Sequence, residues 1–293
     1  MGFTIATNTS SLNAMRNLTL NQTAQSKSVE RLSSGLRINR AADDAAGLAI
    51  SEGLKNQISG LTVAGRNAQD GISLVQTAEG ALTEVHNILN RVRDLAVQAS
   101  NDTNNEDSRG AIQKEITALG SELERIAKST NFNGIDLLTE EAAGAPLKIQ
   151  VGANGGTTDA ALNEIEVNLA NIEAVATAVK DIAIQTFTDG APTMTSAASQ
   201  TAASEAIVTL DAQINNVSTA RADLGAQQNR LESTARSIAV SVENLSAANS
   251  RIRDTDMATE MGNFTKSQIL SNAATAMLAQ ANQMNSGVMQ LLQ

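Results

Sequence analysis

Residues 207–252 read IVTLDAQINNVSTARADLGAQQNRLESTARSIAVSVENLSAANSRI. Steps of three and four residues select one set from this stretch: Ile207, Leu210, Ile214, Val217, Arg221, Leu224, Gln228, Leu231, Ala235, Ile238, Val242, Leu245, Asn249 and Ile252. Apolar residues at that alternating spacing fall on one side of an α-helix and form a coiled-coil seam. Arg221, Gln228 and Asn249 interrupt it, and buried polar positions of this kind are expected to fix register. At about 1.5 Å per residue the helix is roughly 70 Å long. A rod of that length needs a partner rod, not a compact core.

A matching seam lies in the N-terminal half. Leu54, Ile58, Leu61, Gly65, Ala68, Ile72, Val75, Glu79, Leu82, His86 and Leu89 keep the same spacing. The polar run SNDTNNED then breaks the pattern, and Thr103 with Glu106 reads as a capping box for a further helix. That helix carries Ile112, Ile116, Leu119, Leu123 and Ile126 and stops before the turn signal Asn131–Gly134. The two long seams define the core: Leu54, Ile58, Ile72, Leu82 and Leu89 against Leu224, Leu231, Ile238, Val242 and Leu245.

The period changes in the middle. Leu147, Ile149 and Val151 alternate with polar residues, and Ile165, Val167 and Leu169 do so again after GANGG, which predicts one β-hairpin with a long turn. Residues 177–203 are rich in Thr, Ser and Ala and too few to bury a core of their own. They read as a loop and not as a domain. The fold class is therefore mainly α, a long antiparallel helical hairpin or coiled-coil bundle made by the two arms, with a small β-hairpin between them.

The termini carry stripes of their own. Met15, Leu18, Val29, Leu32 and Leu36 share one, with Gln22 and Gln25 at interior positions. Leu270, Ala274, Met277, Ala281, Met284, Val288 and Leu291 make another, and Leu292 extends it. Residues 267–293 contain no charge, yet twelve of the twenty-seven are Ser, Thr, Asn or Gln. Such a segment is too polar to span a membrane and too uncharged for a solvated surface helix. Burial among copies of itself reconciles the two. Leu18, Leu32, Leu36, Met277, Met284, Val288, Leu291 and Leu292 are the expected assembly seam.

Composition narrows the function classes. Lys and Arg number 21 against 31 Asp and Glu, a net charge of −10, and such a surface repels phosphate backbones, so no nucleic-acid partner is expected. There is no Cys, Trp or Tyr, and the only aromatics are Phe3, Phe132, Phe187 and Phe264. Aliphatic stripes along extended helices must then supply the buried area. Absent cysteine removes disulfides, thiolate chemistry and cysteine metal sites. The first twenty residues show no apolar signal-peptide region, and Ala6 breaks a myristoylation pattern at Gly2. Export by another route is expected.

Four blocks resemble bacterial flagellins: LSSGLRINRAADDAAGLAI at 32–50, ALTEVHNILNRVRDLAVQASNDT at 81–103, STNFNGIDLL at 129–138, and SRIRDTDMATEMGNFTKSQIL with AMLAQANQ between 250 and 283. The matching arms cover roughly residues 1–175 and 204–293. Arg40 departs from the small residue common there, and QMNSGVMQLLQ lacks the proline many relatives place after AQANQ. The resemblance implies an inner terminal coiled coil from residues 1–42 and 255–293. Around it comes a helical core from 43–176 and 204–254, with the hairpin near 147–169, and an outward variable loop at 177–203. It also implies a secreted, extracellular subunit that polymerises with itself into the filament used for swimming. Implied partners are the hook-associated junction and cap proteins, an export chaperone and the type III export apparatus. A hook–filament junction protein shares the terminal logic and is the alternative. A chemoreceptor bundle would need a membrane anchor, which the sequence lacks.

Catalysis is not expected, and neither is a cofactor or a metal. His86 is the only histidine, and a metal site or a serine triad needs partners missing here. Asp43 and Asp44 are adjacent and would not face each other on a helix; they read as a helix start favoured by the dipole. Matches to N-x-[ST] at Asn17 and Asn263 fall on predicted buried helices. RVRDLAVQ at 91–98 holds Arg91, Leu95 and Gln98. With Glu115, these residues match the positions at which related flagellins meet the vertebrate Toll-like receptor, so the resemblance implies that receptor as a partner.

Overall fold

The computed structural model describes residues 8–155, 160–185, 187, 188, 191, 192 and 194–291. The chain divides into two compact units, Met1–Ile58 with Glu243–Gln293, and Ser59–Val242. Helices α2 (Ala45–Ala99) and α7 (Ser196–Arg253) contribute to both. No helix among the described residues is long and apolar enough to cross a membrane.

In the first unit, α1 (Thr9–Ser34) packs on α8 (Met257–Leu291). Asn8 caps α1 by accepting from the Ser11 N–H at 3.0 Å. Gly35 closes it in the left-handed region, φ 71°, where a Cβ would be strained. The segment after Gly35 is stitched to the link between α7 and α8. The Arg37 N–H donates to the Arg253 carbonyl at 2.6 Å, and the Thr255 N–H donates to that of Gly35 at 2.9 Å. Asp44 starts α2 by accepting from the Gly47 N–H at 2.9 Å, as the acidic pair predicts. Asp43 turns away from it, pairs with Lys27 at 2.8 Å and accepts from the N–H groups of Asn39 and Arg40. Those bonds favour the carboxylate and hold its pKa at about 2, with Lys27 the largest cause.

The second unit holds the main apolar core, in which α2 and α7 meet α3 (Glu106–Ser129) and α6 (Ile172–Lys180). The cap of α3 differs from the expected box. Asn105, not Thr103, accepts from the Ser108 N–H at 2.8 Å, because an Asn one residue before the helix satisfies its free donors without a reciprocal Glu. The turn at Asn133–Gly134 has φ 52° and 79°, the mirror-image turn that Asn-Gly favours, and it pairs β1 (Asn131–Phe132) with β2 (Ile135–Asp136).

The predicted hairpin is present as β3 (Leu147–Gln150) against β4 (Glu164–Val167), with Ile149 opposite Ile165 and Leu147 opposite Val167. Ile165 and Val167 are buried. The short helix α4 (Glu140–Gly144) precedes it, and α5 (Ala160–Asn163) lies in the connection between its strands. The hairpin packs on α2 at Gly71, where an added Cβ would meet Ile149 Cδ1 and push the end of that side chain aside.

Between 177 and 203 more is ordered than a loop requires. Ile182, Ile184 and Ser199 are buried, β5 (Phe187–Thr188) pairs with β6 (Ala191–Pro192), and α7 already begins at Ser196.

Candidate functional site

The terminal helices run antiparallel. Asn8 Nδ2 donates to the Ala281 carbonyl at 3.1 Å, while Arg31 lies 3.6 Å from Glu260. The face α1 turns to its partner is Ser11, Ala14, Leu18, Asn21, Gln25, Ser28 and Leu32, all half-buried or buried at heptad spacing. On α8 the corresponding set is Glu260, Phe264, Ser267, Ser271, Ala274, Leu278 and Ala281. Small and polar residues dominate both. They let the backbones approach closely but bury little apolar area.

The larger apolar residues point elsewhere. Leu12, Met15, Leu20 and Val29 on α1 are 49–61% exposed, and Met257, Met261, Ile269, Leu270 and Met277 on α8 are 43–62% exposed. Of the expected assembly seam, Leu18, Leu32 and Leu36 are half-buried in the unit and Met277 is exposed. The side chains of Met284, Val288 and Leu291, and all of Leu292, lie outside the described residues. Gln25 is half-buried as expected, whereas Gln22 is exposed, one step off the face that meets α8.

The residues of the expected core seam divide between the two units. Leu82, Leu89, Leu224, Leu231 and Ile238 are buried, and Ile72 and Val242 pack against the same core. Leu54, Ile58 and Leu245 are half-buried in the first unit. There Ser51 donates to Asn249 Oδ1 at 2.7 Å. In the second unit Arg221 reaches Glu79. His86 is half-buried on α2, and no group of three His, Cys, Asp or Glu residues suited to a metal occurs among the described residues.

Two polar residues escaped the sequence reading. Arg109 is fully buried; its guanidinium donates to the carbonyls of Ala99 at 3.0 Å, Ser196 at 3.0 Å and Asn101 at 3.2 Å. It thereby ties the end of α2 to the starts of α3 and α7. Gln113 donates to the Ile182 carbonyl and accepts from the Ile184 N–H, both at 2.7 Å, as a neighbouring strand would. The signal for Arg109 was its position one heptad step before Ile112 and Ile116.

Arg91 and Glu115 are exposed and joined, with Arg91 Nη2 2.7 Å from Glu115 Oε1. Gln98 is exposed on the same helix as Arg91. Leu95 is 2% exposed and belongs to the core, so three of these four side chains meet solvent.

Two family models match the chain: the bacterial flagellin N-terminal helical region over residues 5–143, and the bacterial flagellin C-terminal helical region over residues 207–292. The chain belongs to the bacterial flagellin family. A flagellin from Halalkalibacterium halodurans is 49% identical over 285 residues, covering 97% of this chain and 98% of the relative. A flagellin from Bacillus subtilis is 48% identical over 316 residues, again covering 97% and 98%. A solved structure from Vibrio parahaemolyticus, assigned as a flagellar hook-associated protein, matches with TM-score 0.54 over 72% of this chain and 100% of that one. At 13% identity it is a likeness of fold alone. Flagellins are structural proteins.

Proposed function

We propose that this chain is the structural subunit that polymerises into a bacterial flagellar filament and that the exposed faces of α1 and α8 are its main assembly surfaces. One observation carries the second point: the mutual seam of the two helices is small and polar, while Leu12, Met15, Leu20, Ile269 and Met277 face solvent. Burying such side chains against neighbouring copies contributes roughly 1.5–3 kcal/mol for each one fully covered. Flagellin relatives near 49% identity over almost the whole chain favour the filament over the hook–filament junction.

The remaining roles follow from family membership. The chain acts outside the cell, reaches it through the type III apparatus with a dedicated chaperone, and meets junction and cap proteins at the filament ends. It has no catalytic role. The Arg91–Glu115 pair with Gln98 is the surface offered to the Toll-like flagellin receptor. The test is electron microscopy of purified protein after salting out. Long helical filaments are expected; protein that stays monomeric, or forms only short caps on added filament ends, would remove the filament assignment.

A further inference from the structure

The chain holds two Asn–Gly dipeptides, Asn133–Gly134 and Asn154–Gly155, and all four residues are exposed. Glycine has no Cβ to shield its nitrogen, so in such a pair that nitrogen can reach the asparagine side-chain carbonyl. The fold treats the two pairs differently. Asn133 and Gly134 form the mirror-image turn between β1 and β2, with φ 52° and 79°. A turn of that type sets the Asn133 ψ at about 30°, which swings the Gly134 nitrogen away from the asparagine side chain. The flanks of this turn are anchored. Phe132 packs on the core, Leu137 and Leu138 are fully buried, and the Leu137 N–H donates to the Thr130 carbonyl at 3.1 Å.

Asn154 lies in the connection between β3 and β4, outside any helix or strand. Its carbonyl accepts from Gln150 Nε2 at 3.0 Å, an exposed bond worth about 1 kcal/mol. One such bond leaves ψ of Asn154 able to turn until the Gly155 nitrogen faces Cγ.

We infer that Asn154 is a site of spontaneous deamidation, a covalent mark that accumulates with the age of the molecule, and that its turn protects Asn133 from the same change. The inference stands apart from the filament reading. Solvent base takes the Gly155 amide proton, and the nitrogen attacks Asn154 Cγ. An N–Cγ bond forms, the Cγ–Nδ2 bond breaks, and ammonia leaves with the proton. Water then opens the cyclic imide at either carbonyl, giving aspartate or isoaspartate, with nothing oxidised or reduced. In the isoaspartyl form the carbonyl held by Gln150 has become a free carboxylate, and the chain runs on through Cβ and Cγ, one atom longer. The neighbouring contact with α2 has little slack: a Cβ at Gly60 would come within 2.8 Å of Ala153 Cβ and 3.1 Å of its Cα. The longer chain therefore loosens the tip, where the Val151 and Gly152 N–H groups donate to the Asn163 carbonyl at 2.7 and 3.0 Å.

The experiment ages the full-length protein in warm, mildly alkaline buffer and maps its peptides by mass, with fragmentation to separate aspartate from isoaspartate at each asparagine. The mass gain of amide-to-acid conversion belongs to asparagine and not to Asp–Gly isomerisation, so each site is read separately. Asn154 should convert at least about tenfold faster than Asn133 in the folded chain, because Asn133 reacts only after local opening. In urea the two rates should converge. Amide exchange at Val151 and Gly152 should quicken in the aged protein, while that at Phe132 and Ile135 stays unchanged. Aged Asn154→Gln, whose longer side chain does not close a five-membered ring, should show no such quickening. Equal conversion at the two sites in the folded chain, or faster conversion at Asn133, overturns the inference. So does an Asn154 that survives intact for as long as the urea-unfolded chain takes to convert. Quickened exchange at Val151 and Gly152 in aged Asn154→Gln, or none in the converted parent, overturns the loosening of the tip.

Discussion

Arg221 on α7 meets Glu79 on α2, Nη2 to Oε1 at 2.7 Å, and both residues occupy heptad positions flanked along the helix by apolar ones. The ion pair sits where a leucine would bury more area. Its side chains are 33% and 40% exposed, so water tempers the attraction.

Replacing Glu79 alone by Ala should lower stability by about 1 kcal/mol, because Arg221 keeps its charge and loses its acceptor. The double variant Glu79→Met with Arg221→Met should recover that loss or exceed it. Urea unfolding of Glu79→Met, Arg221→Met and the double measures the coupling directly. A double variant weaker than either single would show that the pair stabilises the fold and does more than set register.

Leu231→Asp should unfold the second unit, since an unpaired carboxylate at a fully buried seam position costs several kcal/mol. Val208→Asp on the same helix, at a site 72% exposed, should leave the melting transition within about 0.5 kcal/mol of the parent. Circular dichroism melts of both variants test the inward and outward faces of α7 together.

Arg109→Met should cost about 3 kcal/mol, because the carbonyls of Ala99, Asn101 and Ser196 lose the buried guanidinium they share as donor. Arg109→Lys should recover little, as one ammonium cannot span three acceptors on separate segments. Amide exchange should quicken first at 99–104 and at 196–200, before the rest of α3 responds.

Acid should loosen the turn between α1 and α2. The Asp43 carboxyl is held at about 2 by Lys27 and by the backbone N–H groups of Arg40 and Asn39, against an ordinary 3.8. A carboxyl with a lowered folded pKa stabilises the fold fully above its unfolded value, and that contribution is lost as pH falls through the folded one. Exchange protection at 37–44 should therefore decline between about pH 4 and pH 2. In Asp43→Asn the same protection should start lower and stay flat across that window.

The heptads of α2 and α7 could be read directly because both helices find their apolar partners within the chain. In the terminal helices the apolar stripes divide. Leu18, Leu32, Ala274 and Ala281 lie on the mutual face, where Ser11, Asn21, Ser28, Ser267 and Ser271 complete the contact, while Met15, Val29, Leu270 and Met277 are exposed. Sequence periodicity reports that a face is apolar and says nothing of whether its partner is the same chain or another copy. Arg109 and Gln113 were hidden for a different reason. Their roles depend on carbonyls whose positions are set by tertiary packing, and no local pattern records those. The Asn133–Gly134 turn was legible because its backbone preference is local, although the strands it joins were too short to show alternation.

Gln185, near the start of the connection between α6 and α7, reaches its far end: its amide donates to the Met194 carbonyl at 3.3 Å, and its oxygen accepts from Ser199 Oγ at 3.1 Å. Gln113 holds the chain just before it, and Arg109 grips Ser196 just after. The connection is thus a socket with two fixed lips. Foreign sequence spliced between them enters and leaves at set points, and the entropic cost of lengthening such a closed segment grows only with the logarithm of its length. A guest domain placed there would be carried by the scaffold without having to be accommodated within it.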